Sequence, residues 1–384
     1  MLHCATGPMR ALLASFLFTS VITACDTNVD LEGGADINGD EEKADGAQGI
    51  EVSGRLRPGT VDAKLTMAVP RPGYIFYAAE GTKVTLEVTR GGTTAGLDTL
   101  LKVYGPRLSD GSYPKTLATD DDAGYGKFSK IKDLEISIPG FYLVEVTTTA
   151  APAEAAARVK LSCTGTCDTD LPVAPLGLDI KWFQRAAERK ALSLQAYQAA
   201  TKKLEAKVAA GVPQSWGVVL DIDETTLDNS PYQKRRADLG LGYSPATWTD
   251  WVNEKAAQPI PGAPAFIARV KQLGGKVVLV SNRLDQKECP QTQQNLAAKS
   301  IAFDAMLCKT TTSDKNPRFE QVKLGQGTGL PPTTVVMYVG DNILDFPGIS
   351  QDIRKMPDSA FAAFGETNIL LPNPMYGSWE KNVD

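Results

Sequence analysis

Four regimes of hydrophobic patterning follow one another along the chain. Ala11 to Ala24 is an apolar run broken only by Ser15, Thr19, Ser20 and Thr23, too short to span a bilayer and shaped like the core of an export signal covering 1–24. Residues 25–49 are rich in Asp, Glu, Gly and Ala and nearly free of large apolar groups, so they cannot support a core and read as an acidic, disordered tether. From 50 to 168 short alternating runs, such as Val84-Thr85-Leu86-Glu87-Val88 and Tyr142-Leu143-Val144-Glu145-Val146, recur between Gly, Pro and Asp turns. Period-two alternation of this kind predicts strands with one polar face, and hence an all-β sandwich. From about 176 the period changes. Trp182, Phe183, Ala186, Leu192, Leu194 and Tyr197 predict helix through about Ala209. Continuous apolar runs follow at Trp216–Leu220, Lys276–Val280 and Val335–Val339, the pattern of strands buried on both faces in a parallel α/β sheet. The predicted architecture is thus a Rossmann-like, three-layer α/β domain over 176–384, preceded by the sandwich, with a small cap at about 230–262.

Composition narrows the chemistry. The 384 residues carry a formal charge of −5, and removing 1–24, whose only charged residue is Arg10, leaves −6. No basic face announces a nucleic-acid polymer as partner, so anionic substrates must be drawn in by local positive groups. The single histidine, His3, lies in the segment predicted to be removed. That excludes Ser-His-Asp hydrolysis, phosphohistidine chemistry and His-ligated zinc, and leaves acid–base work to carboxylates, Lys, Tyr or Cys. Val21-Ile22-Thr23-Ala24-Cys25 resembles the lipobox of bacterial lipoproteins, which implies lipidation of Cys25 and a membrane-anchored location in the bacterial envelope, periplasmic or at the outer surface. Of the remaining cysteines, Cys163, Cys167, Cys289 and Cys308 form an even set for an oxidising compartment, with proximity favouring Cys163–Cys167 and Cys289–Cys308. A zinc site is the weaker reading, since CxxxC stands without a second close pair or any His. Neither Cys289 nor Cys308 is followed by the Arg-bearing loop that a cysteine phosphatase needs.

The candidate chemistry sits where the apolar runs end. Trp216–Leu220 leads directly into Asp221-Ile222-Asp223-Glu224-Thr225, placing two carboxylates at the carboxyl edge of a sheet, where open α/β sheets bind ligands. A second run ends in Ser281-Asn282-Arg283; Lys315 heads a predicted helix; a third run ends in Gly340-Asp341-Asn342-Ile343-Leu344-Asp345. Phosphoryl transfer needs an in-line nucleophile and neutralisation of charge on the non-bridging oxygens. These residues supply both: Asp221 as nucleophile; Asp223 as acid to the leaving alkoxide and then base to water; Ser281, Asn282 and Lys315 for phosphate oxygens. Asp221, the Asp223 backbone carbonyl and Asp341 are the expected ligands of Mg²⁺, with Asp345 orienting them from outside the ligand sphere and Gly340 letting the backbone approach the metal.

The order of these motifs is similar to that of the haloacid dehalogenase superfamily. The four aspartates Asp221, Asp223, Asp341 and Asp345 resemble the DDDD-type class C lipoprotein acid phosphatases and 5′-nucleotidases, from about Trp182 to Trp379. This resemblance implies a Mg²⁺-dependent acid phosphatase acting on small phosphomonoesters through an aspartyl-phosphate. It also implies that Trp248 and Tyr376 stack an aromatic leaving group such as the base of a nucleoside 5′-monophosphate. The same aspartates would serve a phosphotransferase, and a non-catalytic envelope binding lipoprotein is the other alternative, against which the presence of both Asp221 and Asp223 argues. Leu97–Pro106, Thr119–Gly124 and Pro139–Tyr142 resemble the pre-peptidase C-terminal domain, an accessory β module. Asp98 and Asp120–Asp122 there read either as a structural Ca²⁺ site or as a solvated acidic turn.

Overall fold

The computed structural model describes residues 47, 49–66, 69–92, 96–113, 115–148 and 154–383. The signal segment and Cys25 lie outside the described residues, as does all but the end of the tether. Among the described residues, no helix is long and apolar enough to cross a membrane.

The first part is all strand: β1 (Glu51–Arg55), β2 (Gly59–Thr66), β3 (Pro72–Ala78), β4 (Lys83–Arg90), β5 (Thr99–Tyr104), β6 (Thr116–Asp120), β7 (Lys130–Glu135), β8 (Gly140–Thr148) and β9 (Glu154–Thr164). They form two sheets, β1-β3-β8-β5-β6 and β2-β9-β4-β7, antiparallel except for the β1–β3 pair. Val84, Leu86 and Val88 of β4 enter the shared core opposite Tyr142, Val144 and Val146 of β8, as period-two geometry requires. β8 departs from the expected half-polar pattern, because every residue from Tyr142 to Val146 is buried. Its outer face is covered too: Leu143 joins Ile50, Val52 and Ile75 in a cluster completed by Val173 and Leu239 from the second part of the chain. Buried Glu145 in this strand is satisfied by Arg71 Nε at 2.5 Å and by the Tyr104 hydroxyl at 2.6 Å, the pairing that burial of a carboxylate demands. Of the acidic residues in the β6–β7 turn, Asp120 accepts from the Ala123 and Lys130 backbone N–H groups. Asp98, Asp121 and Asp122 lie close together and partly or fully exposed, with Lys127 donating to Asp98 at 2.7 Å.

The second part runs α1 (Leu178–Arg185), α2 (Ala187–Ala210), β10 (Trp216–Leu220), β11 (Leu227–Asp228), α3 (Ser230–Asp238), α4 (Pro245–Glu254), β12 (Gln258–Pro259), α5 (Ala263–Gln272), β13 (Lys276–Leu284), α6 (Cys289–Ala298), β14 (Ala305–Lys309), α7 (Asn316–Leu324), β15 (Thr334–Gly340) and β16 (Asn368–Leu370), with short 3₁₀ turns after β15. The expected single helix is two, because Ala186 is extended (ψ 132°). The packing face of α2 is Arg189, Ser193, Tyr197, Ala200 and Leu204, and Leu192 stays exposed. The five-stranded sheet is parallel throughout, in the order β14-β13-β10-β15-β16. Its residues split by parity. Val218, Leu220, Val277, Leu279, Met337 and Val339 face the layer of α2 and α5; Val219, Val278, Val280 and Tyr338 face the layer containing Phe319 and Val322 of α7. Both faces are covered, which is why these strands read as unbroken apolar runs. The chain builds outward from β10 on one side, then crosses to β15 on the other. The crevice at that reversal, beyond the carboxyl ends of the strands, is where such sheets bind ligands.

α3, α4 and the β11–β12 pair form the small cap. It is fastened to the sandwich: Arg236 of α3 donates to the Val52 carbonyl at 2.6 Å, and the Ser244 hydroxyl preceding α4 donates to Glu51. The sulfurs pair as Cys163–Cys167 and Cys289–Cys308, the second joining the start of α6 to β14 and leaving no thiolates for zinc in either pair.

Candidate active site

Register sets the first two carboxylates side by side. Leu220 of β10 pairs with Val339 of β15, and the Asp221 N–H donates to the Val339 carbonyl at 2.9 Å, so Asp221 and Asp341 leave adjacent strand ends together. Ligand oxygens of Asp221, Asp341 and Asp345 all lie within 4.8 Å of one another, close enough for one cation to touch them. The loop after β10 is held by the Thr226 hydroxyl on the Asp221 carbonyl at 2.7 Å and by Glu224 in the left-handed region at φ 53°. Buried Glu224 accepts the Asn229 N–H at 2.6 Å, which offsets the cost of holding a non-glycine residue there.

Lys315, at the head of α7, donates to Asp221 and, at 2.6 Å, to Asp345. Asp345 is fully engaged, because its second oxygen accepts the Asn342 N–H at 2.9 Å. Asp341 accepts from the Thr225 hydroxyl and from Asn373, each at 2.9 Å. Gly340 is required here for a different reason from the one its sequence suggested. A Cβ on it would meet Asp345 Cβ at 2.3 Å, so what the missing side chain makes room for is Asp345.

The charge balance is one-sided. Burial pushes Asp221 well above the usual carboxylate range, with Lys315 pulling it down and Asp345, Asp341 and Asp223 pushing it up. Asp341 is pushed up to about 7, again chiefly by burial and then by Asp345. Lys315 stays a firm cation: burial lowers its pKa, but Asp221 and Asp345 outweigh that and raise it. One buried ammonium therefore does not neutralise the three carboxylates, two of them buried and one half-buried. A hard divalent cation with oxygen ligands fits both the charge deficit and the donor set.

Around this centre lies a cavity of about 140 Å³ lined by Asp221, Asp223, Asn282, Ser313, Lys315, Asp341, Asn342, Leu344, Asp345 and Tyr376. Asn282 is in its wall. Ser281 is fully buried beside it, its oxygen accepting the Arg283 N–H at 3.0 Å, which leaves the hydroxyl proton to donate elsewhere. Trp248 is not brought to the cavity. It packs against Tyr232 and Tyr243 at 5.2 and 6.2 Å between centroids, with the Arg283 guanidinium 5.4 Å from its ring centre. The expectation that it stacks a leaving group is corrected accordingly: its apolar surface is already covered within the cap. Tyr376 does line the cavity.

Arg283 and Arg318 escaped the reading of the sequence. Arg283, only 2% exposed, donates to Asp223 Oδ1 from Nε at 2.9 Å and from Nη2 at 2.8 Å. Arg318 of α7 donates to the Ser281 carbonyl and, at 2.6 Å, to Asn282 Oδ1, bracing that end of β13. The available signal was an arginine closing an otherwise apolar strand, since a cation at a buried position is rare unless paired.

The family model for the haloacid dehalogenase (HAD) superfamily, subfamily IIIB (acid phosphatase), matches residues 171–379. The class C acid phosphatase of Bacillus anthracis is 34% identical over 53% of this chain and 85% of its own, with a TM-score of 0.49. The structure of the Bacillus anthracis class C acid phosphatase with tungstate bound is 32% identical over 54% and 90%, with a TM-score of 0.48. The pre-peptidase C-terminal domain of a Bacillus anthracis collagenase is 13% identical over 29% of this chain and 95% of its own, with a TM-score of 0.23. A parallel α/β sheet with acidic groups at two adjacent strand ends and a lysine opposite them defines a HAD-type enzyme, a class that uses a divalent metal. The family match spans more than half of the 384 residues: the chain belongs to the HAD subfamily IIIB acid phosphatases, and is a phosphoric monoester hydrolase.

Proposed function

We propose that the protein is a Mg²⁺-dependent acid phosphatase of the bacterial envelope that hydrolyses small phosphomonoesters through an aspartyl-phosphate on Asp221. The observation that carries this reading is the meeting of Asp221, Asp341, Asp345 and Lys315 at one point of the sheet's carboxyl edge. Asp221 attacks phosphorus in line and forms the acyl phosphate while the P–O bond to the alcohol breaks. Asp223, open to the cavity and a fifth exposed, gives its proton to the departing alkoxide and then takes one from the water that hydrolyses the acyl phosphate. Lys315 holds Asp221 oriented and offers positive charge to the phosphate oxygens, and the amide of Asn282 in the cavity wall adds a donor. Asp221, Asp341 and the Asp223 carbonyl would hold the cation, with Asp345 fixing Lys315 and the Asn342 backbone around them. That cation supplies Lewis-acid neutralisation of phosphate charge and lets a carboxylate approach a dianion.

The cavity is small for a whole nucleotide but suits a phosphoryl group, and Tyr376 is the aromatic side chain among its lining residues. Nucleoside 5′-monophosphates are the proposed preferred esters on that ground, with Tyr376 alone as the stacking platform. Lipid anchoring through Cys25 places the enzyme on a membrane surface in this reading. A phosphomonoester panel run with and without Mg²⁺ tests it. Turnover should vanish with EDTA, return with Mg²⁺, and be lost by at least about 10³-fold in Asp221→Asn; activity that survives both treatments contradicts the proposal.

A further inference from the structure

Among the described residues, the side chain of Asp223 accepts hydrogen bonds through one oxygen only. Oδ1 accepts three N–H donors: Arg283 Nε at 2.9 Å, Arg283 Nη2 at 2.8 Å and Asn229 Nδ2 at 2.9 Å. The orientation of the Asn229 amide is fixed from behind, because two groups that can only donate reach its oxygen: the Trp251 indole N–H at 2.9 Å and Arg283 Nη2 at 3.0 Å. Its NH₂ must then face Asp223. Asn229 is fully buried, and Arg283 and Trp251 are 2% and 3% exposed. Arg283 is held in turn by the Thr292 hydroxyl at 2.8 Å and lies over the ring of Trp248. Trp248 and Trp251 both belong to α4, so one cap helix braces both donors.

We propose that Arg283, Asn229 and Trp251 are positioning residues that anchor Asp223 by Oδ1 and thereby leave Oδ2 as the oxygen that serves the leaving group. Three donors saturate the lone pairs of Oδ1, and protonating it would break at least one charge-assisted hydrogen bond. Oδ2, which receives none of these hydrogen bonds, is therefore the oxygen left to hand a proton to the leaving group. As Asp221 forms its bond to phosphorus and the ester P–O bond breaks, that proton passes to the leaving oxygen and leaves Asp223 a carboxylate, with its charge held by Arg283. The cap thus takes part in the reaction by aiming the acid, a role separate from any contact with substrate.

This inference rests on the reading of Asp223 as the acid, and one experiment separates the two. kcat/KM, which reports the first phosphoryl transfer, is measured for p-nitrophenyl phosphate, whose leaving group needs no proton, and for a simple alkyl phosphate, whose leaving group does. The ratio of the two values is compared among wild type, Asp223→Ala, Arg283→Gln, Arg283→Lys and Trp251→Phe, each checked for folding by circular dichroism. General acids contribute about 10²–10⁴-fold, so Asp223→Ala should raise the ratio by about 10²-fold or more. Arg283→Gln should raise it by about 10-fold or more, with KM changing less than kcat. Arg283→Lys should recover part of the loss, and Trp251→Phe should raise the ratio about threefold. If Asp223→Ala leaves the ratio unmoved, the acid assignment falls and the positioning role with it. If Asp223→Ala raises it while Arg283→Gln and Trp251→Phe lower both rates equally, the acid stands and the positioning role is overturned. Should Arg283→Gln fail to fold, Trp251→Phe, which keeps an aromatic ring and removes one donor, decides the matter alone.

Discussion

Asp221 and Asp223 are separated by a single residue, Ile222, yet the fold gives them opposite surroundings. Asp221 is buried against Lys315 among other carboxylates, while Asp223 reaches the cavity with one oxygen tied to Arg283 and Asn229. The spacing and its place after an apolar strand were enough to pick out the pair, because residues two apart in extended chain project to the same side. Its partners were not legible, since Arg283 lies 60 residues from Asp223 and Asn229 six, and nothing local ties them together. Gly340 shows the same limit: the need for a small residue was visible, but not what fills the space. Gly340→Ala must push Asp345 off Lys315 and the Asn342 N–H. Overpacking of that kind costs about 1–3 kcal/mol, and kcat should fall by about 10–100-fold as the lysine loses its second anchor. Urea unfolding and steady-state kinetics check this; a variant matching wild type in both contradicts the role given to Asp345.

At the scale of elements, the three apolar runs declared β10, β13 and β15 because a strand covered on both faces has no polar alternation to hide it. α2 was less legible, since its buried stripe includes Arg189 and Ser193, which a hydrophobic pattern does not register; Arg189 is instead paired with Asp228 at 3.0 Å and lies over Phe183. Charged anchors also fix strand ends. Asp304 accepts the Val277 N–H at 2.8 Å and pairs with Lys271 at 2.6 Å, closing the start of β13. Burial alone would raise the pKa of Asp304, but hydrogen bonds from Lys271 and the Val277 N–H, with the charges of Lys271 and Lys276, overcome this and hold it below the usual carboxylate value. The ionised form is thus favoured by folding. It adds stability above about pH 4, the unfolded pKa, and that contribution is lost as pH falls through the lower folded value. Asp304→Asn should cost about 1.5–3 kcal/mol at pH 7, and its difference from wild type should shrink in urea melts taken from pH 5 to pH 3. An equal difference at every pH contradicts the assignment.

For the molecule as a whole, a formal charge of −5 offers no long-range attraction to an anion, and Lys315 is the one cationic side chain among the residues that line the cavity. The sandwich was legible as a fold but not as a partner of the cap. Its outer sheet face looked half-polar in sequence only because the residues that cover it, Val173 and Leu239, come from the other part of the chain. Contacts between distant segments are what a linear pattern cannot carry. The central claim, a phosphoryl group passing through Asp221, is tested most directly by trapping it. Enzyme turning over excess phosphomonoester with Mg²⁺ is quenched in acid, reduced with borohydride, which converts an acyl phosphate of Asp to homoserine, and mapped by mass spectrometry. Homoserine at position 221 is the predicted result; modification at a different residue, or none during active turnover, contradicts the account.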